Sequence, residues 1–169
     1  APTTSTTVAL ALGDALAVCL LECKGFTADD FAKYHPGGAL GKRLYLKVAD
    51  LYPTHDFPAI PQTATIQEAI HEISSKRLGA TAVLDAKGDL VGIITDGDVR
   101  RTLENSKDWS AISLDQMMNK TPKTIEAEAF ATEALAIMQS KNITQLVVTA
   151  NKKAVGFVHL HDLLKEGIV

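Results

Sequence analysis

Gly92-Ile93-Ile94-Thr95-Asp96-Gly97-Asp98-Val99-Arg100-Arg101 and Gly156-Phe157-Val158-His159-Leu160-His161-Asp162 are two versions of one segment. The likeness extends to both sides of them. Glu68-Ala69-Ile70 matches Glu133-Ala134-Leu135, Ser75-Lys76 matches Ser140-Lys141, and Val83 matches Val148, each displaced by 65 positions. Val91-Gly92 matches Val155-Gly156 and Asp98 matches Asp162 at a displacement of 64, so the intervening turn has lost one residue. That period exceeds the repeats of solenoid arrays, and a tandem pair packed on each other is expected instead.

Each copy has the same layout. Ile66, Ala69, Ile70 and Ile73 recur at helical spacing, Thr81-Ala82-Val83-Leu84 reads as a buried strand, and Ala86-Lys87-Gly88-Asp89 turns into Leu90-Val91-Gly92-Ile93-Ile94. A short helix from about Asp96 to Leu103 follows. The second copy predicts a helix over 130–142, strands near 145–149 and 154–159, and a closing helix over 160–166. Phe57-Pro58-Ala59-Ile60 and Lys123-Thr124-Ile125 each offer an edge strand, which makes the order strand, helix, strand, strand, helix.

Residues 1–47 differ from the rest. Thr4, Ser5 and Thr6 offer an N-cap to a helix that is apolar on nearly every face from Val8 to Leu21, with Gly25 as its C-cap. A helix apolar all round must be covered on all sides. Nothing else in this segment is apolar enough, so the helix reads as part of a core whose remainder lies outside the chain. Thr27 with Asp29 and Asp30 marks a second short helix, stopped by His35-Pro36-Gly37-Gly38, and Ala39 to Ala49 resumes as helix with Lys42 and Arg43.

Composition narrows the function classes. The 169 residues are 46% hydrophobic and 22% charged, values of an ordinary globular protein. Twenty acidic against 17 basic residues give a net charge of −3 without a basic block, and aromatics are 5%, which together disfavour nucleic acid as a partner. Small ligands are the expected partners. Cys19 and Cys23, four apart on one helical face, are expected as reduced, buried thiols of a cytoplasmic protein. The N-terminus lacks the basic start of a signal peptide, and the apolar run Val8–Leu21, broken by Gly13 and Asp14, is short for a membrane span, so no membrane association is expected.

Three places could carry chemistry. Thr95 and Asp98 face the same way at a helix start, where backbone N–H groups attract phosphate and a carboxylate can accept from ribose hydroxyls. Arg100 and Arg101 would add phosphate-binding capacity. The same spacing also fits a plain capping box of Thr95 with Asp98. His159 and His161 would share a face if their strand continued through them, but no third ligand of suitable spacing is near, and no metal or cofactor is expected. Polar ligand contact and a helix cap with exposed histidines both remain open there. His35, presented from a Pro-Gly-Gly turn, is either a working imidazole or part of a Gly-rich connection.

The duplicated unit with Gly-x-x-Thr-x-x-Asp at 92–98 resembles a tandem pair of CBS domains, a Bateman module, over about 48–169. Residues 1–47, through His35-Pro36-Gly37-Gly38-Ala39-Leu40-Gly41, are similar to the end of a sugar isomerase (SIS) domain. Together they resemble the C-terminal part of bacterial D-arabinose 5-phosphate isomerases. The resemblance implies an α+β fold, with an SIS remnant over 1–47 and CBS domains over 48–107 and 108–169. It implies a parent enzyme that interconverts ribulose 5-phosphate and arabinose 5-phosphate on the route to Kdo, the sugar acid of lipopolysaccharide and some capsules. His35 would be catalytic only in that parent, and this chain alone would be inactive.

CBS pairs commonly bind adenine nucleotides between their copies, which implies ligand roles for Thr95, Asp98 and Asp162, with Thr81 placed in the same set. His159 stands where the motif has Thr, a departure from ordinary adenosine binding. CMP-Kdo, the activated end product, carries a ribose, a phosphate and a carboxylated sugar, to which Asp98, Arg100 or Arg101, and His159 or His161 are chemically suited. It is the favoured ligand, with AMP or ATP next. A homo-oligomer is expected, as a dimer of CBS modules within a tetrameric parent. The alternative is a pair that only mediates oligomerisation and binds nothing small.

Overall fold

The structure, a computed structural model, describes residues 2–34, 37–105 and 112–168. The chain divides into two compact units, residues 1–45 and 46–169.

The first unit contains α1 (Thr3–Cys23), α2 (Ala28–Tyr34) and α3 (Ala39–Tyr45). Thr27 caps α2 reciprocally: its N–H donates to Asp30 Oδ2 at 3.1 Å, and the Asp30 N–H donates to Thr27 Oγ1 at 3.2 Å. Helix α1 buries no residue, and Leu10 and Val18 are 68% and 59% exposed. Cys19 and Cys23 are free thiols as expected, but exposed rather than buried, because none of the described residues of the unit covers the helix that carries them. At 21 residues, α1 outruns the Val8–Leu21 run and is long and apolar enough, by length and composition alone, to cross a membrane. The third helix stops at Tyr45 instead of continuing to Ala49, because Val48 and Ala49 belong to the second unit, where their N–H groups donate to Ala129 O at 2.9 Å and Ala127 O at 2.8 Å. His35 and Pro36 lie outside the described residues.

The second unit holds the duplication. Copy one runs β1 (Ala59–Pro61), α4 (Ile66–Lys76), β2 (Ala80–Leu84), β3 (Leu90–Thr95) and α5 (Asp96–Asn105). After the short α6 (Leu114–Met117), copy two runs β4 (Thr124–Glu126), α7 (Ala131–Lys141), β5 (Gln145–Ala150), β6 (Lys153–His159) and α8 (Leu160–Lys165). The order strand, helix, strand, strand, helix thus holds in both copies. Each sheet has its first strand parallel to the second and the second antiparallel to the third. The lost residue is visible at the hairpins. Copy one turns through Asp85 to Asp89 with Gly88 at φ 76°, whereas copy two turns on Asn151 and Lys152 alone, both left-handed at φ 51° and 67°.

Strand alternation sorts the buried residues into three clusters. Val83 and Ile94 face α4 with Ile66, Ala69 and Ile73. Leu146, Val148 and Val158 face α7 with Ala134 and Met138. The opposite faces, Ala80, Ala82 and Ile93 from copy one with Val147 and Phe157 from copy two, meet each other and join the copies. Small alanines on one side accommodate the Phe157 ring on the other.

Two straps exchange between the copies. Val48 and Leu51, which precede copy one, are buried in the core of copy two. Leu114, Met117 and Met118, which precede copy two, are buried in the core of copy one. Division at 107/108 therefore describes chain order, while in space each copy is completed by the segment that introduces the other.

Candidate functional site

The end of β3 and the start of α5 are held by the spacing noted in the sequence. The Thr95 N–H and hydroxyl both donate to Asp98 Oδ2, at 2.9 and 2.6 Å, and the Asp98 N–H donates back to Thr95 Oγ1 at 3.3 Å. Arg101, one turn on, pairs with the other carboxylate oxygen. Capping and ligand binding are therefore compatible, since the box fixes the carboxylate in place while Arg101, 67% exposed, is free to rearrange.

A cavity of about 670 Å³ opens where the copies meet, and its lining follows the repeat. Arg77 and Gly79 of the α4–β2 loop face Asn142 and Thr144 of the α7–β5 loop, their equivalents 65 positions on. Thr95 and Gly97 likewise face His159 and His161, their equivalents 64 positions on. Both loops turn on left-handed residues, Arg77 at φ 59° and Asn142 at φ 51°. Asparagine accepts that conformation readily, whereas an arginine there is strained by on the order of 1–3 kcal/mol. Arg77 was not singled out by pattern reasoning. The signal available was its alignment with Asn142 at a helix end, where Gly or Asn is usual.

His159 caps α8: its Nδ1 accepts from the His161 N–H at 3.1 Å, and the two rings stack with centroids 5.0 Å apart. Burial, helped by the neighbouring His161, holds the His159 imidazole below its ordinary pKa. The strand does not continue through His161, so the shared strand face expected for a metal pair does not form. Two guanidinium groups and two imidazoles against the carboxylate of Asp96 make the cavity suited to an anionic ligand.

Asp98 borders a second cavity, of about 400 Å³, with Arg101 and, from the exchanged strap, Gln116 and Met117. Its counterpart Asp162 is 6% exposed and accepts from the His159 N–H at 2.9 Å. Arg100 is exposed and borders neither cavity. Thr81, expected near the ligand, is fully buried. Its neighbour in register is Ile94 on the α4 side of the sheet, so alternation turns it away from the junction of the copies.

The chain is 49% identical over its whole length to the arabinose 5-phosphate isomerase KdsD of Pseudomonas aeruginosa and 44% identical to that of Escherichia coli K12. It spans about half the length of these curated relatives, 52% in each. Among solved structures it is similar to the CBS domain protein PAE2072 from Pyrobaculum aerophilum complexed with AMP, with a TM-score of 0.63 and 23% identity, covering 70% of this chain and 90% of that one. The CBS domain pair of protein MJ0100, in complex with 5′-methylthioadenosine and S-adenosyl-L-methionine, aligns with a TM-score of 0.64 and 21% identity over 72% of this chain and 94% of that one. The CBS domain model matches residues 48–105 and 114–168, the same two stretches that the repeat, the paired sheets and the shared cavity delimit. By sequence and by architecture, then, the chain belongs to the CBS domain family.

Proposed function

We propose that the chain is the regulatory half of an arabinose 5-phosphate isomerase, a CBS pair that takes up a nucleotide or nucleotide sugar between its copies and passes its presence to a sugar isomerase domain. The observation that carries this reading is the 670 Å³ cavity at the junction of the copies, with Arg77, Arg101, His159 and His161 at its wall. Such a wall suits a phosphate, and Asp98 nearby, fixed by Thr95, suits a ribose. The AMP bound by PAE2072 and the adenosyl compounds bound by MJ0100 support a nucleotide as the ligand class.

CMP-Kdo is the ligand we favour. It has a second anionic group, the sugar carboxylate, and His159 in place of the motif's Thr offers an imidazole to it. The parent would convert ribulose 5-phosphate to arabinose 5-phosphate with His35 among its catalytic groups, in the cytoplasm and as a homo-oligomer, a tetramer joined through dimers of CBS modules. In that parent α1 belongs to the core of the sugar isomerase domain, which accounts for a helix that is apolar on every side and covered on none. Calorimetric titration of the chain with CMP-Kdo, CMP, AMP and ATP tests the reading. Saturable heat with CMP-Kdo exceeding the other three is expected, binding of AMP or ATP alone would make it an adenine-nucleotide sensor, and silence with all four would leave a module for oligomerisation only.

A further inference from the structure

The two motif carboxylates are chemically equivalent in the sequence and unequal in the structure. His55 lies in the strap that precedes copy one, directly after the 3₁₀ turn Tyr52–Thr54, and reaches across 107 positions of chain to copy two. Its Nε2 donates to both oxygens of Asp162, at 2.9 and 2.8 Å. The Asp162 side chain is 8% exposed and that of His55 24% exposed. Oδ2 also accepts from the His159 N–H at 2.9 Å. The protein itself thus bonds both oxygens of Asp162 and covers most of its side chain.

Among the described residues, copy one has no such stopper. The straps align by their contacts: Tyr52 lies on Gly156 as Met118 lies on Gly92. Three residues beyond Tyr52 stands His55, and three beyond Met118 stands Thr121. Thr121 turns back on its own strap, with its N–H and hydroxyl both donating to Asn119 Oδ1, at 2.9 and 3.1 Å. It makes no use of Asp98, whose partner outside its own cap is the exposed Arg101.

We propose that His55 closes the Asp162 carboxylate to ligands, so that the pair offers a single open motif carboxylate, Asp98, to a nucleotide hydroxyl. The ligand half of this statement rests on the nucleotide-binding reading above, and the closure does not. The strap is seated by the Tyr52 ring on β6 and by Val48 and Leu51 in the core of copy two, so the stopper is held by packing as well as by its hydrogen bonds. One site per chain follows, with Asp162 serving to fix the strap.

Carbethoxylation of the full chain, read histidine by histidine by mass spectrometry, tests the closure without any ligand. His55 is expected to react about tenfold or more slowly than the exposed His71, the scale of a hydrogen bond to a charged group, and to lose that protection in Asp162→Asn. Equal reactivity of His55 and His71 would overturn the proposal. Calorimetry with AMP, CMP and CMP-Kdo tests the consequence. One site per chain is expected, abolished by Asp98→Ala, with a second site appearing in His55→Ala. His55→Gln, which keeps a donor at the carboxylate and guards against a general loss of fold, is expected to stay at one. Two sites in the unaltered chain, or one abolished by Asp162→Ala and spared by Asp98→Ala, would overturn it. Protection of His55 with no binding of any probe would leave the closure standing and defeat the nucleotide reading.

Discussion

The ring of Tyr52 lies against the backbone of Gly156 so closely that a Cβ at that position would stand 2.5 Å from Tyr52 Cδ2. The same place in copy one, Gly92, would set its Cβ 2.6 Å from Met118 Sδ. Both glycines are needed for close approach of a strap to a central strand, and neither has a left-handed φ. The neighbours differ in how they can yield, a stiff ring in one case and the flexible thioether chain of Met118 in the other, with the Asn119 carbonyl behind it at 3.2 Å.

Gly156→Ala is therefore expected to destabilise the fold by about 1–3 kcal/mol, the range for overpacking, and Gly92→Ala by less. Urea denaturation of the two variants checks the order. Combining Gly156→Ala with Tyr52→Ala should cost less than the sum of the two changes, because the second removes the group with which the first collides. Additive losses would show that the strap had already left β6.

The exchanged straps set where the chain can be cut. A chain beginning at Leu46 should fold with the thermal midpoint of the CBS pair unchanged, since residues 46–169 form a unit of their own. A chain beginning at residue 56 should not, because Val48 and Leu51, 0% and 5% exposed, leave the core of copy two. Leu51→Ala samples the same loss in the intact chain and should cost about 2–5 kcal/mol. Circular dichroism on heating distinguishes these outcomes, and an unaltered midpoint for the shorter chain would show that the straps do not complete the cores.

Asp98 has two duties that one substitution separates. Asp98→Ala should lower stability by about 0.5–2 kcal/mol through loss of the cap on α5, with no ligand present. It should also abolish the rise in thermal midpoint produced by saturating CMP-Kdo. Thr95→Val shares the first effect, because the hydroxyl that accepts from the Asp98 N–H is gone, but keeps the carboxylate and should retain part of the second. A full ligand-induced rise in Asp98→Ala would remove that residue from the site.

Much of this was legible in the chain because it depends on local spacing. The displacements of 65 and 64 give the two copies, and the step between them is realised in the shortened hairpin at Asn151-Lys152. Thr95 and Asp98 form the expected box because three residues is the spacing of a helix cap. What stayed hidden depends on which segments meet. His55 sits in a stretch with no periodicity, and nothing near it hints at a carboxylate 107 positions away. The exchange of straps leaves no local trace either, since Val48 and Leu51 would serve equally in the core of their own copy. Thr81 misleads for a related reason. Whether a strand residue faces a ligand or a helix is settled by the sheet's two faces, and in copy one the face that meets the partner carries Ala80 and Ala82.

The pH dependence of folding should carry the mark of His159. Its imidazole is held below its ordinary value first by burial and then by the charge of His161, with His55 and Lys165 acting in the same direction and Asp162 against them. Its Nδ1 also accepts the His161 N–H, a bond that protonation of that nitrogen would break. Between the depressed folded value and the unfolded value near 6.5, the unfolded chain binds the proton and the folded chain does not. Stability contributed by neutral His159 is thus present above about pH 6.5, is lost as the pH falls below it, and stops falling once the folded form titrates too. His159→Gln removes this contribution while leaving an acceptor for the cap. The loss of stability between about pH 7.5 and 5.5, measured from urea midpoints, should be smaller in His159→Gln than in the unaltered chain. An equal or greater loss in the variant would show that His159 is as readily protonated in the folded protein as in the unfolded one.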